Sequence, residues 1–245
     1  PTRRSSDLNY IFMANLIMYV LFAIVAITQF NLEINAKFKP QDSIDLKSKE
    51  NKKRFTAMML VCAMFAICWI AYIQWETTIA SFTQSINISM SQYSVLWTVN
   101  GIMILVAQPL IRPVIRLLKG NLKYQMFVGI LIFMLSFFVT SFAEQFTVFL
   151  IGMIILTFGE MFVWPAVPTI ANYLAPQGKQ GQYQGVVNSA STVGKAFGPL
   201  IGGILVDTFN MSAMFIGMII LLLIGMFFLS IFDKGLPKHS QHENR

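Results

Sequence analysis

Phe146-Thr-Val-Phe-Leu-Ile-Gly-Met-Ile-Ile-Leu-Thr-Phe-Gly-Glu160-Met-Phe-Val-Trp-Pro165-Ala-Val-Pro168-Thr-Ile-Ala171 passes through a long apolar run with a single ionisable side chain. A hydrocarbon layer ~30 Å thick is crossed by ~20 helical residues rising about 1.5 Å each, so this stretch reads as a transmembrane helix. Six further apolar runs flank it: Tyr10–Phe30, Phe55–Ala80, Tyr93–Ile111, Gln125–Phe142, Gly185–Val206 and Met211–Phe232. The expected fold class is therefore all-α, a polytopic membrane protein of seven transmembrane helices. Composition agrees, because a chain that is 56% hydrophobic and 12% charged has too little polar surface to cover a soluble globule.

The basic residues supply an orientation. Seven Lys and Arg lie in Lys37–Arg54, four in Arg112–Lys123, one at Lys179 and three in the tail after Asp233, while Ser81–Gln92, Ala143–Gln145 and Asp207–Asn210 carry none. Positively charged loops stay in the cytoplasm, so the segment 31–54 reads as a cytoplasmic linker and 233–245 as a cytoplasmic tail of a multi-pass cell-membrane protein. The net charge of +7 is spread over short loops instead of one basic and aromatic surface. Anionic lipid headgroups are the expected neighbours, and nucleic acid is not an expected partner.

Residues 1–8, Pro-Thr-Arg-Arg-Ser-Ser-Asp-Leu, read as an adapter-derived scar that runs into Asn9 without a start methionine. Arg3 and Arg4 would also sit on the outer side of the first helix, against the rule the other loops obey. The chain is then expected to be a fragment: residues 9–30 form one helix, 31–54 the linker, and 55–232 a six-helix transmembrane bundle. Within that bundle, polar residues gather on four helices, with Gln74 and Glu76, Asn100 and Gln108, Glu160 and Asn172, and Asn188 and Lys195. Gln125–Phe142 and Met211–Phe232 carry almost none. Two triplets, each of two polar helices and one apolar helix, point to the repeated three-helix units of a transporter half.

Three motifs carry a family resemblance. Gly159-Glu-Met-Phe-Val-Trp-Pro-Ala-Val-Pro168, continuing to Leu174-Ala-Pro176, is similar to the tenth helix of bacterial multidrug-type proton antiporters. Gly194-Lys-Ala-Phe-Gly198-Pro199-Leu-Ile-Gly202-Gly203 has the form of the antiporter glycine motif. Arg112-Pro-Val-Ile-Arg116-Leu-Leu-Lys119-Gly120 is a reduced form of the basic loop after a half's second helix, without its Asp and leading Gly. The chain thus resembles the C-terminal half, helices six to twelve, of a major facilitator superfamily transporter. The resemblance implies that 9–30 is the sixth helix of a missing N-terminal half and that 55–232 is one half-bundle of a twelve-helix fold. It also implies a secondary active transporter that exports lipophilic or cationic drugs in exchange for protons by alternating access. A proton-coupled symporter of a sugar, amino acid or organic anion is the alternative. Its partners would be protons, a small-molecule substrate, membrane lipid and the missing half.

The glycine motif also has a direct physical reading. Gly194, Gly198 and Gly202 repeat every fourth residue and share a helix face, so a neighbouring backbone can approach closely, and Pro199 kinks the helix. Gly203 belongs to the same motif. Such a contact suits either a sliding gate or ordinary close packing.

Ionisable residues inside helices mark where function is sought. A charge at mid-helix costs ~2.5–3.5 kcal/mol on insertion scales, comparable with what the Leu, Ile, Val and Phe of Phe146–Val163 return at ~0.3–0.6 kcal/mol each. Glu160 lies ~21 Å from the outer end of its helix and Lys195 ~15 Å from the cytoplasmic end of the next, within reach of each other. Either Glu160 takes up and releases a proton beside Pro165 and Pro168, or Lys195 holds it in a structural ion pair. Gln74, Glu76, Asn100, Gln108, Trp164 and Asn188 are the substrate-path candidates. Trp69, Trp97 and Trp164 can stack on a lipophilic cation or anchor helices at the interface.

An intramembrane enzyme is not expected. Both histidines, His239 and His242, lie in the tail, and neither Cys62 nor Cys68 has a partner at metal-ligand spacing. No catalytic residue, metal or cofactor is assigned.

Overall fold

The computed structural model describes residues 2–29, 49–117 and 120–236, and all regular structure among them is helical. The chain divides into two units, Pro1–Ser43 and Ile44–Arg245. The first holds α1 (Thr2–Gln29), which is apolar over Phe12–Val25. Its backbone includes Thr2 to Leu8, part of the octapeptide that reads as a scar. Most of the linker, residues 31–48, and the tail from residue 237 lie outside the described residues.

The second unit contains α2 (Lys49–Tyr72), a 3-10 turn (Ile73–Trp75), α3 (Thr78–Ser85), α4 (Met90–Val106), α5 (Gln108–Leu117), α6 (Leu122–Thr140), α7 (Phe146–Leu174), α8 (Gln180–Thr208) and α9 (Met211–Ile231). Five stretches among the described residues are long and apolar enough to cross a membrane: Lys49–Ser85, α6, α7, α8 and α9. Phe12–Val25 and α4 are apolar but shorter.

Two runs expected to be continuous helices are interrupted. Tyr93–Ile111 divides at Ala107 into α4 and α5, because Pro109 has no N–H to donate to the carbonyl of Leu105. Phe55–Ala80 tightens into the 3-10 turn, where both Glu76 N and Thr77 N donate to the Ile73 carbonyl. Side chains hold this break in place. Gln74 Nε2 donates to the carbonyls of Ile70 and Gly198, each at 2.8 Å, and the Tyr93 hydroxyl donates to the Trp75 carbonyl.

Helix starts follow local chemistry. Ser89 Oγ accepts from Gln92 N while Gln92 Oε1 accepts from Ser89 N, a reciprocal cap that opens α4. Asn121 Oδ1 accepts from the backbone of Lys123 and Tyr124 at the start of α6, and Asn210 Oδ1 accepts from Ala213 N at the start of α9.

In the bundle, α2 packs against α8 and α9, α6 against α7 and α9, and α4 against α7. Glycines set the closest approaches. A Cβ on Gly159 of α7 would stand 2.6 Å from the Phe133 ring and 3.1 Å from the Gly129 carbonyl oxygen of α6, so α6 and α7 approach closely here only because both positions are glycine. On α8, Gly194 abuts Ala66 and Trp69, Gly198 abuts Ile70 and Ile73, and Gly202 abuts Gln74 and Thr78. Gly203 faces open space. The stripe therefore lies along α2 and its break. At one end of the bundle Lys123 Nζ bridges to Asp233 Oδ1 at 2.6 Å and to the Ser230 carbonyl at 3.0 Å, fastening the start of α6 to the end of α9.

Gly202→Leu should force α8 away from Gln74 and lower stability by about 1–3 kcal/mol, whereas Gly203→Ala should stay within about 0.5 kcal/mol of the parent. Thermal unfolding of the purified, detergent-solubilised protein measures both. Equal effects of the two substitutions would mean that the stripe is not a packing surface.

Candidate functional site

Glu160 is the one carboxylate buried among the described residues, with 3% of its surface exposed. Three helices supply its surroundings. From α4, Asn100 Nδ2 donates to Glu160 Oε1 at 2.8 Å and to Thr157 Oγ1 at 3.0 Å. The Thr157 hydroxyl in turn donates to the Met153 carbonyl one turn back on α7. From α2, the Tyr72 side chain lies beside the same carboxylate. Asn100 and Tyr72 are themselves buried, 6% and 7% exposed. Leaving a buried carboxylate unsatisfied would cost several kcal/mol, roughly the effective desolvation penalty of an ion, so these hydrogen bonds are what allow Glu160 to stay inside.

Lys195 does not pair with it. The ammonium of Lys195 lies over the ring of Trp69 at 3.9 Å from the centroid. The ion pairs among the described residues are Arg54–Glu50 and Lys123–Asp233, both remote from Glu160 in sequence and by element.

A cluster of aromatic rings adjoins the carboxylate through Tyr72 and Trp164. Trp69 of α2 and Trp164 of α7 stack in parallel, with centroids 4.7 Å apart and an interplanar angle of 6°. Phe65, Tyr72 and Phe133 meet the Trp164 ring at 5.4–5.5 Å, edge-on or tilted. Trp97 approaches Tyr72 edge-on. The Nε1 of Trp69 is buried without a hydrogen-bond partner among the described residues.

A cavity of about 390 Å³ opens beside this cluster, between α4, α5 and α7. Ile104, Gln108, Ile111, Ile115, Glu160, Met161, Trp164 and Pro165 line it. Pro165 and Pro168 lack the N–H groups that would satisfy the carbonyls of Met161 and Trp164, so α7 is loosened along the cavity wall. Gln125 Nε2 reaches the Phe162 carbonyl at 2.9 Å and the Thr169 hydroxyl reaches that of Pro165 at 2.7 Å. The cavity thus sets one carboxylate and one amide against an otherwise apolar and aromatic wall.

The sequence candidates separate by position. Glu160, Gln108, Trp164 and Pro165 come together at the cavity, and Asn100 joins them through its hydrogen bond to Glu160. Gln74 is fully buried in the α2 break, and Glu76 is exposed beyond it. Asn188 is exposed on α8, and its carbonyl accepts from the hydroxyls of Ser191 and Thr192. The Pro168 carbonyl accepts from Gln184. Arg112 and Arg116 fall on α5, but their side chains, and Lys119 entirely, lie outside the described residues. Tyr72 and Thr157 are site residues absent from the sequence candidates. Tyr72 follows Trp69 by three residues and so shares its helix face, a signal open to sequence inspection.

The sequence profile described as Major Facilitator Superfamily matches this chain twice, over residues 5–188 and over residues 55–245. The chain belongs to that superfamily. It is 44% identical over 98% of its length to the uncharacterized MFS-type transporter YttB of Bacillus subtilis (strain 168). It is 25% identical over 84% of its length to YqjV, an uncharacterized MFS-type transporter of the same organism. A shorter match, 32% identical over 38% of the chain, is to the uncharacterized MFS-type transporter MJ1560 of Methanocaldococcus jannaschii. The chain spans 60% of the length of YttB and 51% of that of YqjV. As a member of that superfamily it is membrane-embedded, and its Glu160 cluster lies where α2, α4 and α7 meet.

Asn100→Ala removes one donor from Glu160 and from Thr157, and should destabilise this facilitator by about 1–3 kcal/mol. Gln108→Ala, at an exposed position on the cavity wall, should change stability by less than about 0.5 kcal/mol. Thermal unfolding of both variants checks the contrast, and a neutral Asn100→Ala would show that its amide does not hold the carboxylate.

Proposed function

We propose that this chain is the C-terminal part of a proton-coupled efflux transporter for lipophilic or cationic compounds, with Glu160 as the proton carrier. The observation that carries the reading is the Glu160 carboxylate. It is buried, accepts a hydrogen bond from Asn100 beside Tyr72, has no ion-pair partner among the described residues, and lies at the edge of a cavity walled by Trp164. A carboxylate locked to a lysine has little reason to change protonation, whereas one held only by neutral donors can lose or gain its proton as the cavity fills. A cationic guest against Trp164 would stabilise the ionised form, and its departure would favour protonation, so guest and proton exclude each other in one site. That exclusion is the requirement of antiport.

Seven spans complete the arrangement: the five long apolar helices together with Phe12–Val25 and with α4 extended by α5. In this reading residues 55–232 form a half-bundle, the linker 31–54 and the tail face the cytoplasm, and an N-terminal half joins them in the complete transporter. The partial coverage of YttB supports a longer parent protein. The glycine stripe of α8, set against the α2 break through Gln74 and the Gly198 carbonyl, supplies a close contact along which these helices can shift.

Inverted membrane vesicles containing the complete transporter should accumulate several structurally different lipophilic cations when the lumen is made acid, so that protons leave as the cations enter. Glu160→Gln should reduce that accumulation to the level of vesicles without transporter while leaving the amount of protein in the membrane unchanged. Gradient-driven transport that survives the substitution removes Glu160 from coupling. Uptake of one small solute in place of efflux would assign the protein to the symporters.

A further inference from the structure

Trp69 is covered on both faces, and its two covers differ. Trp164 stacks on one face at 4.7 Å and 6°, a spacing that leaves no room there for an ammonium 3.9 Å from the ring centroid. The Lys195 ammonium therefore occupies the opposite face. Lys195 comes from the exposed side of α8, one residue after Gly194, whose missing side chain lets α8 approach the Trp69 Cβ closely. The stacked pair thus runs as one aromatic wall from Lys195 to the cavity beside Glu160, with a cation at one end and a carboxylate at the other.

A tethered ammonium on an indole face uses the attraction that a mobile organic cation would use. We infer that Lys195 is a specificity-determining residue, whose ammonium fills the Trp69 face opposite Trp164 as an internal stand-in for the cationic group of a substrate and must leave that face for an aromatic organic cation to stack there. The inference rests on the efflux reading for the identity of the guest. Competition of this kind lets the empty site keep its aromatic face occupied and weakens binding of cations relative to neutral guests.

Equilibrium binding of ethidium to the complete transporter in lipid nanodiscs, followed by its fluorescence without any proton gradient, tests the inference. Lys195→Met keeps the length of the side chain and removes the ammonium, and should tighten ethidium binding by about three- to tenfold, the range that a single cation–π contact supplies. Lys195→Arg keeps a cation able to lie on the ring and should bind like the parent. The tightening should persist at high salt, because displacement from the ring face is not screened as long-range repulsion is. Unchanged or weaker binding in Lys195→Met beside normal binding by the parent overturns the role of Lys195 alone. A tightening that vanishes at high salt overturns it too, by reducing it to general repulsion. If the parent binds no ethidium, cation recognition at this site falls together with the efflux reading.

Discussion

A carboxylate inside an apolar helix bundle has to be solvated by the protein, and in this chain the solvation of Glu160 comes from three helices at once. Asn100 donates to it from α4, Tyr72 lies beside it from α2, and Thr157 on its own helix accepts from the Asn100 amide. Burial of the ionised group without these donors would cost several kcal/mol, a large fraction of the stability of any fold. The register of α2, α4 and α7 is therefore tied to one oxygen pair. Movement of any of the three helices changes how well that charge is supported, and a change of charge changes how well the helices fit.

The second polar element is the break in α2. Gln74 is fully buried, donates to the Gly198 carbonyl of α8 and to Ile70, and accepts from the Thr78 hydroxyl at 2.7 Å, so its amide is satisfied within the bundle. Interrupted helix backbone at membrane depth is tolerated where protein groups satisfy it, and this amide does so between two helices packed through glycines. Between the break and the Glu160 cluster lie Trp69 and Tyr72, on the last turns of α2. A shift at the α8 contact therefore reaches the aromatic wall directly through packed side chains.

Much of the fold is legible in the amino-acid order. The apolar runs mark the helices, because a membrane span needs length and hydrophobicity and little else, and Asn121 and Asn210 mark two of their starts. The interruptions are harder to read. Pro109 is visible in the sequence, but the α2 break has no proline or glycine, and it depends on tertiary partners, Gly198 and Tyr93, that lie further along the chain. At the site, Glu160 stands out because a lone charge in an apolar run is costly, and Asn100, Gln108 and Trp164 join it at the cavity. The expected proximity of Glu160 and Lys195 follows from depth alone. Depth does not fix azimuth, and Lys195 points to Trp69, whose ring can hold a cation with no formal charge. Tyr72 escapes a reading of sequence because a tyrosine near a helix end has many uses, and its hydroxyl gains meaning only when the carboxylate is beside it.

Infrared difference spectra of the complete transporter, recorded on adding a lipophilic cation at fixed pH, examine the Glu160 carboxyl itself. Exchange of a proton for the cation requires loss of a carboxylic-acid C=O band as the cation binds, and that band must be missing when Glu160 is replaced by Gln. A spectrum with no such loss, or one that keeps it without Glu160, contradicts proton carriage by this residue.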